Sequence, residues 1–195
     1  MAIEEPEYEV IESFEDFEVR RYAPYLVAEV DVDGEFSEAG NDAFRILAGY
    51  IFGDNESATK MAMTAPVEAR QSESGEKMAM TAPVTATSAD DSNQTTFAFV
   101  MERKYTLATL PVPNDDRVRI RQMPERIMAV RRYSGRWTEK NYNLHETTLR
   151  SALDSAGIAF SGEPILARYN SPFSLPIMRR NEVMIEVTLT DANQG

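Results

Sequence analysis

Between Leu26 and Val32 the chain alternates: Leu26, Ala28, Val30 and Val32 point one way, and Val27, Glu29 and Asp31 the other. A two-residue period of this kind predicts a half-buried β-strand, which Gly34 ends. Shorter strands are predicted before it, over 8–14 and 17–22. The period then changes. Phe36, Ala39, Ala43, Phe44, Leu47, Ala48 and Ile51 recur at helical spacing and predict an amphipathic helix over about 36–52. Gly53 stands where a helix C-terminus favours glycine.

The string KMAMTAPV at 60–67 recurs unchanged at 77–84. In an extended chain each Met-Ala-Met places its two methionines on one side, and Pro66 and Pro83 bar continuation of a central strand. The intervening segment is turn-like, so the pair is expected as a hairpin or as two successive sheet segments. A polar loop is expected over 85–96, a strand over 97–101, and a further loop at Pro111, Pro113 and 114–116.

A second half then echoes the first. Strands predicted over 118–122 and 126–132 are separated by Met-Pro, as the earlier two are by Ala-Pro, and Pro24 and Pro124 lie 100 residues apart. Gly34 followed by Phe36 corresponds to Gly135 followed by Trp137. A second helix is predicted over about 138–156 with Gly157 as its stop; its apolar side carries Tyr142, His145, Leu149, Ala152, Leu153 and Ala156. The order of elements predicts one α+β domain of pseudo-two-fold design: a curved, barrel-like antiparallel sheet carrying two α-helices, with a core over about 8–189 and a duplication over about 8–110 and 115–189.

Composition narrows the function. The 195 residues suffice for one well-formed core. No apolar run reaches the length of a membrane span, and the acidic start MAIEEPEYEV is unlike a signal peptide. The absence of cysteine rules out disulfides and thiolate chemistry, and the chain is expected to be cytoplasmic. A net charge of −12 argues against nucleic acid as a partner. Arginines crowd 117–136, which reads either as solvated strand faces or as a local anion-binding patch.

Catalytic constellations are scarce. There is one histidine, His145, and no G-x-S-x-G, P-loop or G-x-G-x-x-G string. Adjacent acids such as Asp115 and Asp116 fall in predicted loops. His145 reads as a partly buried, hydrogen-bonded histidine, with iron ligation as the rival. The methionines offer core packing or a pliant wall for a flat apolar ligand. Near the end, a proline-bounded loop carries Phe173, Leu175, Ile177 and Met178, followed by Arg179 and Arg180. Apolar residues next to two arginines suit a ligand with an apolar body and carboxylate tips.

Four strings, YEVIESFEDFEVRRYAP, KMAMTAPV, LPVPNDDRVRI and ARYNSPFSLPIMRRNEVMIEV, resemble the SOUL haem-binding family in order and spacing over nearly the whole chain. The resemblance implies a fold shared with gyrase-inhibitor-like effector-binding domains. It also implies non-covalent, exchangeable binding of haem or another tetrapyrrole in a shallow cleft. One wall would be the outer side of the first helix, around Asn41, Phe44, Arg45, Ala48 and Gly49. The other would be Phe173, Ser174, Leu175 and Met178, with Arg179 and Arg180 reaching the propionates. Some members carry histidine where this chain has Arg21, and basic residues of the cleft are replaced here by Asn41, Gly49 and Ser174; little or no protein ligation of iron is therefore expected. The same surface could serve a protein partner, and the family resemblance points to a binding protein and not an enzyme. An enzyme using Tyr169 or Glu182 as acid or base ranks last.

Overall fold

In the computed structural model, residues 4–33, 36–57, 75–88, 94–136, 138–170 and 174–189 are described, 36–38 and 88 by their backbone alone. The expectations for Gly34, Trp137, Phe173 and the first KMAMTAPV copy lie outside the described residues. The elements in order are β1 (Tyr8–Ser13), β2 (Glu18–Tyr22), β3 (Tyr25–Asp33), α1 (Phe36–Ile51), β4 (Asn55–Glu56), β5 (Val84–Ser88) and β6 (Gln94–Val100). They continue with β7 (Val112–Pro113), β8 (Arg119–Met123), β9 (Arg126–Tyr133), α2 (Glu139–Ala156), β10 (Ala159–Arg168), a 3-10 turn (Pro176–Met178) and β11 (Asn181–Thr188).

All strands but β4 and β7, which pair with each other, join one strongly curled sheet in the order β1-β2-β9-β11-β10-β5-β6-β3-β8. From β2 to β8 this order reads the same from either end when β2, β3, β5 and β6 are exchanged for β8, β9, β10 and β11. The registers agree with that exchange. Tyr22 pairs with Arg126 and Arg20 with Met128, while Gln122 pairs with Leu26 and Ile120 with Ala28. Each pair maps on the other by a shift of 100 residues, the spacing of Pro24 and Pro124. The pseudo-two-fold α+β reading therefore holds at the level of strand pairing, and the halves exchange strands.

Both helices pack on one face of the sheet. Ala39, Ala43, Leu47, Tyr50 and Ile51 of α1 cover Leu26, Ala28, Val30, Phe97 and Phe99. Leu149 and Leu153 of α2 cover Val19, Ala129, Leu166, Val183 and Ile185. Both ends of α2 are fixed locally: at the start Thr138 Oγ1 accepts from the Asn141 amide at 3.3 Å, and at the finish Gly157, at φ 67°, donates back to the Asp154 carbonyl. That left-handed cap is the glycine role read from the sequence.

The structure departs from the sequence reading in three places. β3 is not half-buried: Val27 and Glu29 on its second face are also buried, because β6 and β8 flank it and Arg119 and Arg121 cover Glu29. The segment expected as a polar loop over 85–96 begins with β5, a central strand held between β6 and β10; Pro83 stands just before it. Met78 and Met80 do not share a side. Their segment is irregular, Met78 donating its amide to the Ile51 carbonyl at 2.8 Å and burying its side chain, whereas Met80 is exposed. Of the two readings of the arginines at 117–136, that of strand-face residues in ion pairs with nearby acids fits four of them. Arg117 pairs with Asp115, Arg119 with Asp31 and Glu29, Arg121 with Glu29, and Arg131 with Asp16.

No helix among the described residues is long and apolar enough to cross a membrane.

Candidate functional site

Next to the buried stripe of α1 runs a second one, Phe44, Ala48 and Phe52, at i, i+4 and i+8. Residues at this spacing stack along one flank of a helix. Ala48 is half-buried, and Phe44 and Phe52 are 42% and 56% exposed. The helix is too wide for its sheet contact to cover this flank, so large aromatic side chains are left facing water. Phe44 meets Phe99 edge to face, with ring centroids 5.5 Å apart. The exposed Met80 follows from a segment tied to the end of this helix through the Met78 amide. Asn41 and Arg45 stand on the exposed side of α1, and Arg45 pairs with Asp42 at 2.7 Å. Gly49 is half-buried, and a side chain there would meet only the Asp54 Cβ at 4.0 Å.

Phe99 heads a row of directly paired residues crossing the sheet: Phe99, Val84, Arg168, Asn181 and Tyr133. Directly paired residues project from the same face, and here it is the face that bears the helices. Phe44 of α1 rests on one end of the row, and His145 of α2 stacks on Tyr133 at the other, with centroids 4.0 Å apart. In the middle, burial pushes the Arg168 guanidinium down to about 10; nearby Tyr133 works against the shift and Arg179 adds to it. Two inter-strand steps of roughly 4.8 Å separate Phe99 from Arg168, where the β10–β11 connection begins.

That connection presents Leu175, Ile177 and Met178 at 65%, 80% and 72% exposure. It is a shaped turn. The Met178 amide donates to the Leu175 carbonyl at 2.9 Å, Arg179 Nε to the Ser174 carbonyl at 2.9 Å, and the Gly135 amide to the Pro176 carbonyl at 2.9 Å. Three large apolar side chains on a braced turn are an unusual thing to leave in water, and such patches mark binding sites.

Of the two arginines after the turn, Arg179 stays with it. Arg180 turns to the opposite face of the sheet, where it lies over the Tyr169 ring at 3.8 Å and pairs with Glu5 and with Glu182. Glu182 is fully buried and also accepts from Arg20 and from the Tyr169 hydroxyl, at 3.2 and 2.7 Å. Although burial opposes it, the fields of Glu182, Tyr169 and Glu5 hold Arg180 above the ordinary arginine range. Tyr169 is raised by burial and by Glu182. The acid and base candidates are thus enclosed together in an ion network.

His145 sits at the flank of α2 and not in the core below it; Leu149 and Leu153 hold that place. Its Nδ1 accepts from Arg131 Nε at 3.3 Å. Since arginine only donates, the ring proton lies on Nε2, and the neutral imidazole presents a donor outward. Burial first, and Arg131 second, lower its pKa. Arg21, at the position where some relatives carry histidine, pairs with Glu9 and Glu125 near the β1 edge; β9, β11, β10 and β5 lie between its strand and β6. Neither position addresses the α1 flank. Among the described residues no group of three or more His, Cys, Asp or Glu could hold a metal ion.

The structure therefore keeps Asn41, Phe44, Arg45 and Ala48 on one flank, and Leu175, Met178 and Arg179 on one turn, while taking Arg180 to the other face. Met80 was among the methionines read from the sequence as core packing or a pliant wall; Phe52 and Arg168 were not singled out. Phe52 had a usable signal, its i+8 spacing from Phe44. Arg168 had none, because only the sheet register brings it between the helices.

A family described as SOUL heme-binding protein matches residues 3–75 and 68–186. Heme-binding protein 1 of Xenopus tropicalis is 28% identical over 173 residues, covering 86% of this chain and 81% of its own. Among solved structures, the C-terminal domain of EcmrR superposes with a TM-score of 0.62 at 9% identity, over 94% of this chain and 99% of that one. A hydrolase from Listeria innocua does so with a TM-score of 0.53 at 12% identity, over 96% and 94%. At such identities these two concern the fold alone.

Proposed function

The chain belongs to the SOUL heme-binding protein family, and on that ground we propose that it binds haem or another tetrapyrrole, non-covalently and exchangeably, as a binding, buffering or delivery protein. The ligand lies between the α1 flank and the β10–β11 turn. The observation that carries this placement is the pair of exposed apolar surfaces, Phe44 with Phe52 on one element and Leu175, Ile177 and Met178 on the other. Phe99, on which Phe44 rests, and Arg168, where the turn's connection begins, are two strand spacings apart, about 10 Å, a span on the scale of a planar macrocycle. Burying both surfaces on one ligand removes apolar area from water, which is the main favourable term for such binding. Arg179, and Arg45 once freed from the exposed Asp42 pair, supply charge for the carboxylate edge. The iron of haem takes no ligand from His145, whose outward nitrogen carries the proton.

Titration with haemin, followed by its absorption band, tests the reading. Saturation near one haemin per chain is expected. Phe44→Ala removes much of one aromatic wall and should weaken binding about tenfold or more, as a lost aromatic contact of at least about 1.4 kcal/mol would. A spectral change no larger than that given by an unrelated acidic protein sinks the reading.

The braced turn also favours a second reading, a protein-interaction module in which Leu175, Ile177 and Met178 dock a partner. Leu175→Ser with Ile177→Ser, leaving haemin affinity unchanged, would favour it.

A further inference from the structure

β1 ends the sheet on one side, and among the described residues no strand pairs with its outer edge. Its pairing with β2 decides which backbone groups are left over. The Ala23 amide donates to the Glu7 carbonyl at 3.0 Å, and along an antiparallel pair the residues that face their partner alternate with those that face away. Glu7 and Glu9 therefore turn their backbone groups towards β2, whereas Tyr8 and Val10 turn theirs outward. Each of these two offers a donor and an acceptor to an incoming extended chain.

The side chains along this edge are sorted by face. Tyr8 and Val10 pair with Tyr22 and Arg20 and lie on the face away from the helices. Glu9 and, past the register shift, Glu12 pair with Arg21 and Val19 and lie on the other. Tyr8 and Val10 are 39% and 43% exposed, apolar surface that the sheet itself does not cover. Residues 4–18 contain no lysine or arginine. Arg21 reaches Glu9 and Glu125 only at 3.6 and 3.9 Å, with all three open to water. Glu12 makes no ion pair among the described residues. Beside the edge, Tyr8, Glu9 and Glu125 line a shallow depression of about 510 Å³.

We propose that the outer edge of β1 is a docking site for an extended basic segment of a partner protein, which adds to the sheet as a further antiparallel strand. A segment that alternates basic and apolar residues fits both faces at once. Its basic positions meet Glu9 and Glu12 and its apolar positions stand across from Tyr8 and Val10, and such opposed pairs are what stabilise a sheet. Main-chain hydrogen bonds supply affinity, and the alternation supplies register. The other free edge, β8, has no such charge to offer, because Arg119 and Arg121 are paired with Glu29 and Asp31. Between β1 and β6, whose Phe99 carries Phe44, lie β2, β9, β11, β10 and β5. The site is therefore separate from the tetrapyrrole cleft and does not rest on that reading.

The test uses the full chain and a fluorescein-labelled heptapeptide of alternating lysine and valine, followed by anisotropy. Binding should saturate and be at least about tenfold tighter than that of a block peptide of the same composition, which keeps the charge and loses the alternation. Methylating the valine amides, which face β1 in antiparallel pairing, should abolish binding, and methylating the lysine amides should not. Val10→Pro removes an outward amide and leaves the β1–β2 ladder intact. It should also abolish binding, with near-ultraviolet circular dichroism unchanged. Glu9→Gln with Glu12→Gln should weaken the peptide about threefold to tenfold, as two lost cross-strand ion pairs would. In the complex, hydrogen exchange at the Tyr8 and Val10 amides should slow. Equal binding of the alternating and block peptides, or of the two methylated forms, overturns the proposal whatever Val10→Pro does. A dimer of the free protein that Val10→Pro dissociates overturns it as well, since a second copy then fills the edge.

Discussion

Replacing Glu182 by alanine is expected to be among the most damaging single changes outside the apolar core. The carboxylate is fully buried and collects hydrogen bonds from Arg20 at 3.2 Å, Arg180 at 3.0 Å and the Tyr169 hydroxyl at 2.7 Å. Arg20 is itself only 5% exposed. Removing the acid therefore leaves one buried cation short of its innermost partner, and a buried hydroxyl with no acceptor. Breaking a buried pair from one side costs about 3–5 kcal/mol, most of it from the charge left behind. At a urea dependence of about 2 kcal/mol/M, the unfolding midpoint falls by about 1.5–2.5 M. Glu18→Gln is the control. It touches the same guanidinium, at 2.7 Å, from the 40% exposed side, where a pair contributes at most about 1 kcal/mol. Urea unfolding followed by far-ultraviolet circular dichroism measures both variants. If Glu182→Ala loses no more stability than Glu18→Gln, the network is not a buried electrostatic unit and the reasoning fails.

Two further outcomes follow from local geometry. Gly157→Ala puts a Cβ into the left-handed cap of α2, where space is open but φ is 67°, and should lower stability by about 1–2 kcal/mol in thermal or urea unfolding. His145→Phe keeps the stacking on Tyr133 and should leave the haemin spectrum unchanged. The native pKa of His145 is depressed, so the wild-type protein holds this group's stabilisation above the ordinary histidine pKa and loses it as pH falls through the lowered value. The wild-type stability difference between pH 8 and pH 5 should therefore shrink in the variant, as read by urea unfolding at the two pH values.

What the sequence made legible is what depends on local pattern. Helical spacing located α1 and α2 to within a residue or two, and Gly157 and Gly53 marked their ends. The 100-residue echo between Pro24 and Pro124 carried the pairing symmetry, because each proline separates two strands at the same register. What stayed hidden depends on partners. Residues 84–88, VTATS, look polar, yet β-branched residues between two strands make a good central strand whichever atoms face water. The strand 159–168 is interrupted in sequence by Gly162 and Pro164. The structure absorbs them in a register shift between Ser161 and Ile165, with Gly162 at φ 74°. At the candidate site the turn residues Leu175 and Met178 were readable as apolar positions among prolines. The direction of Arg180 was not, since it is decided by Glu5, Glu182 and Tyr169, of which Glu5 lies 175 residues away.

The exchange of strands between the two halves sets a condition on biosynthesis. Strand Glu18–Tyr22 takes its inner neighbour from Arg126–Tyr133, so when it leaves the ribosome that partner has not been made. At about 5–20 residues per second the wait is on the order of 5–20 s. Through it, β2 and its hairpin mate β1 remain an open-edged ribbon, the form of β-structure most prone to recruit a neighbouring chain. The acidic residues gathered at 4–18 lie on that ribbon and beside it. Like-charge repulsion among them disfavours the pairing of one such ribbon with another, and in the finished sheet, where β1 still forms an edge, it disfavours edge-to-edge contact between folded molecules.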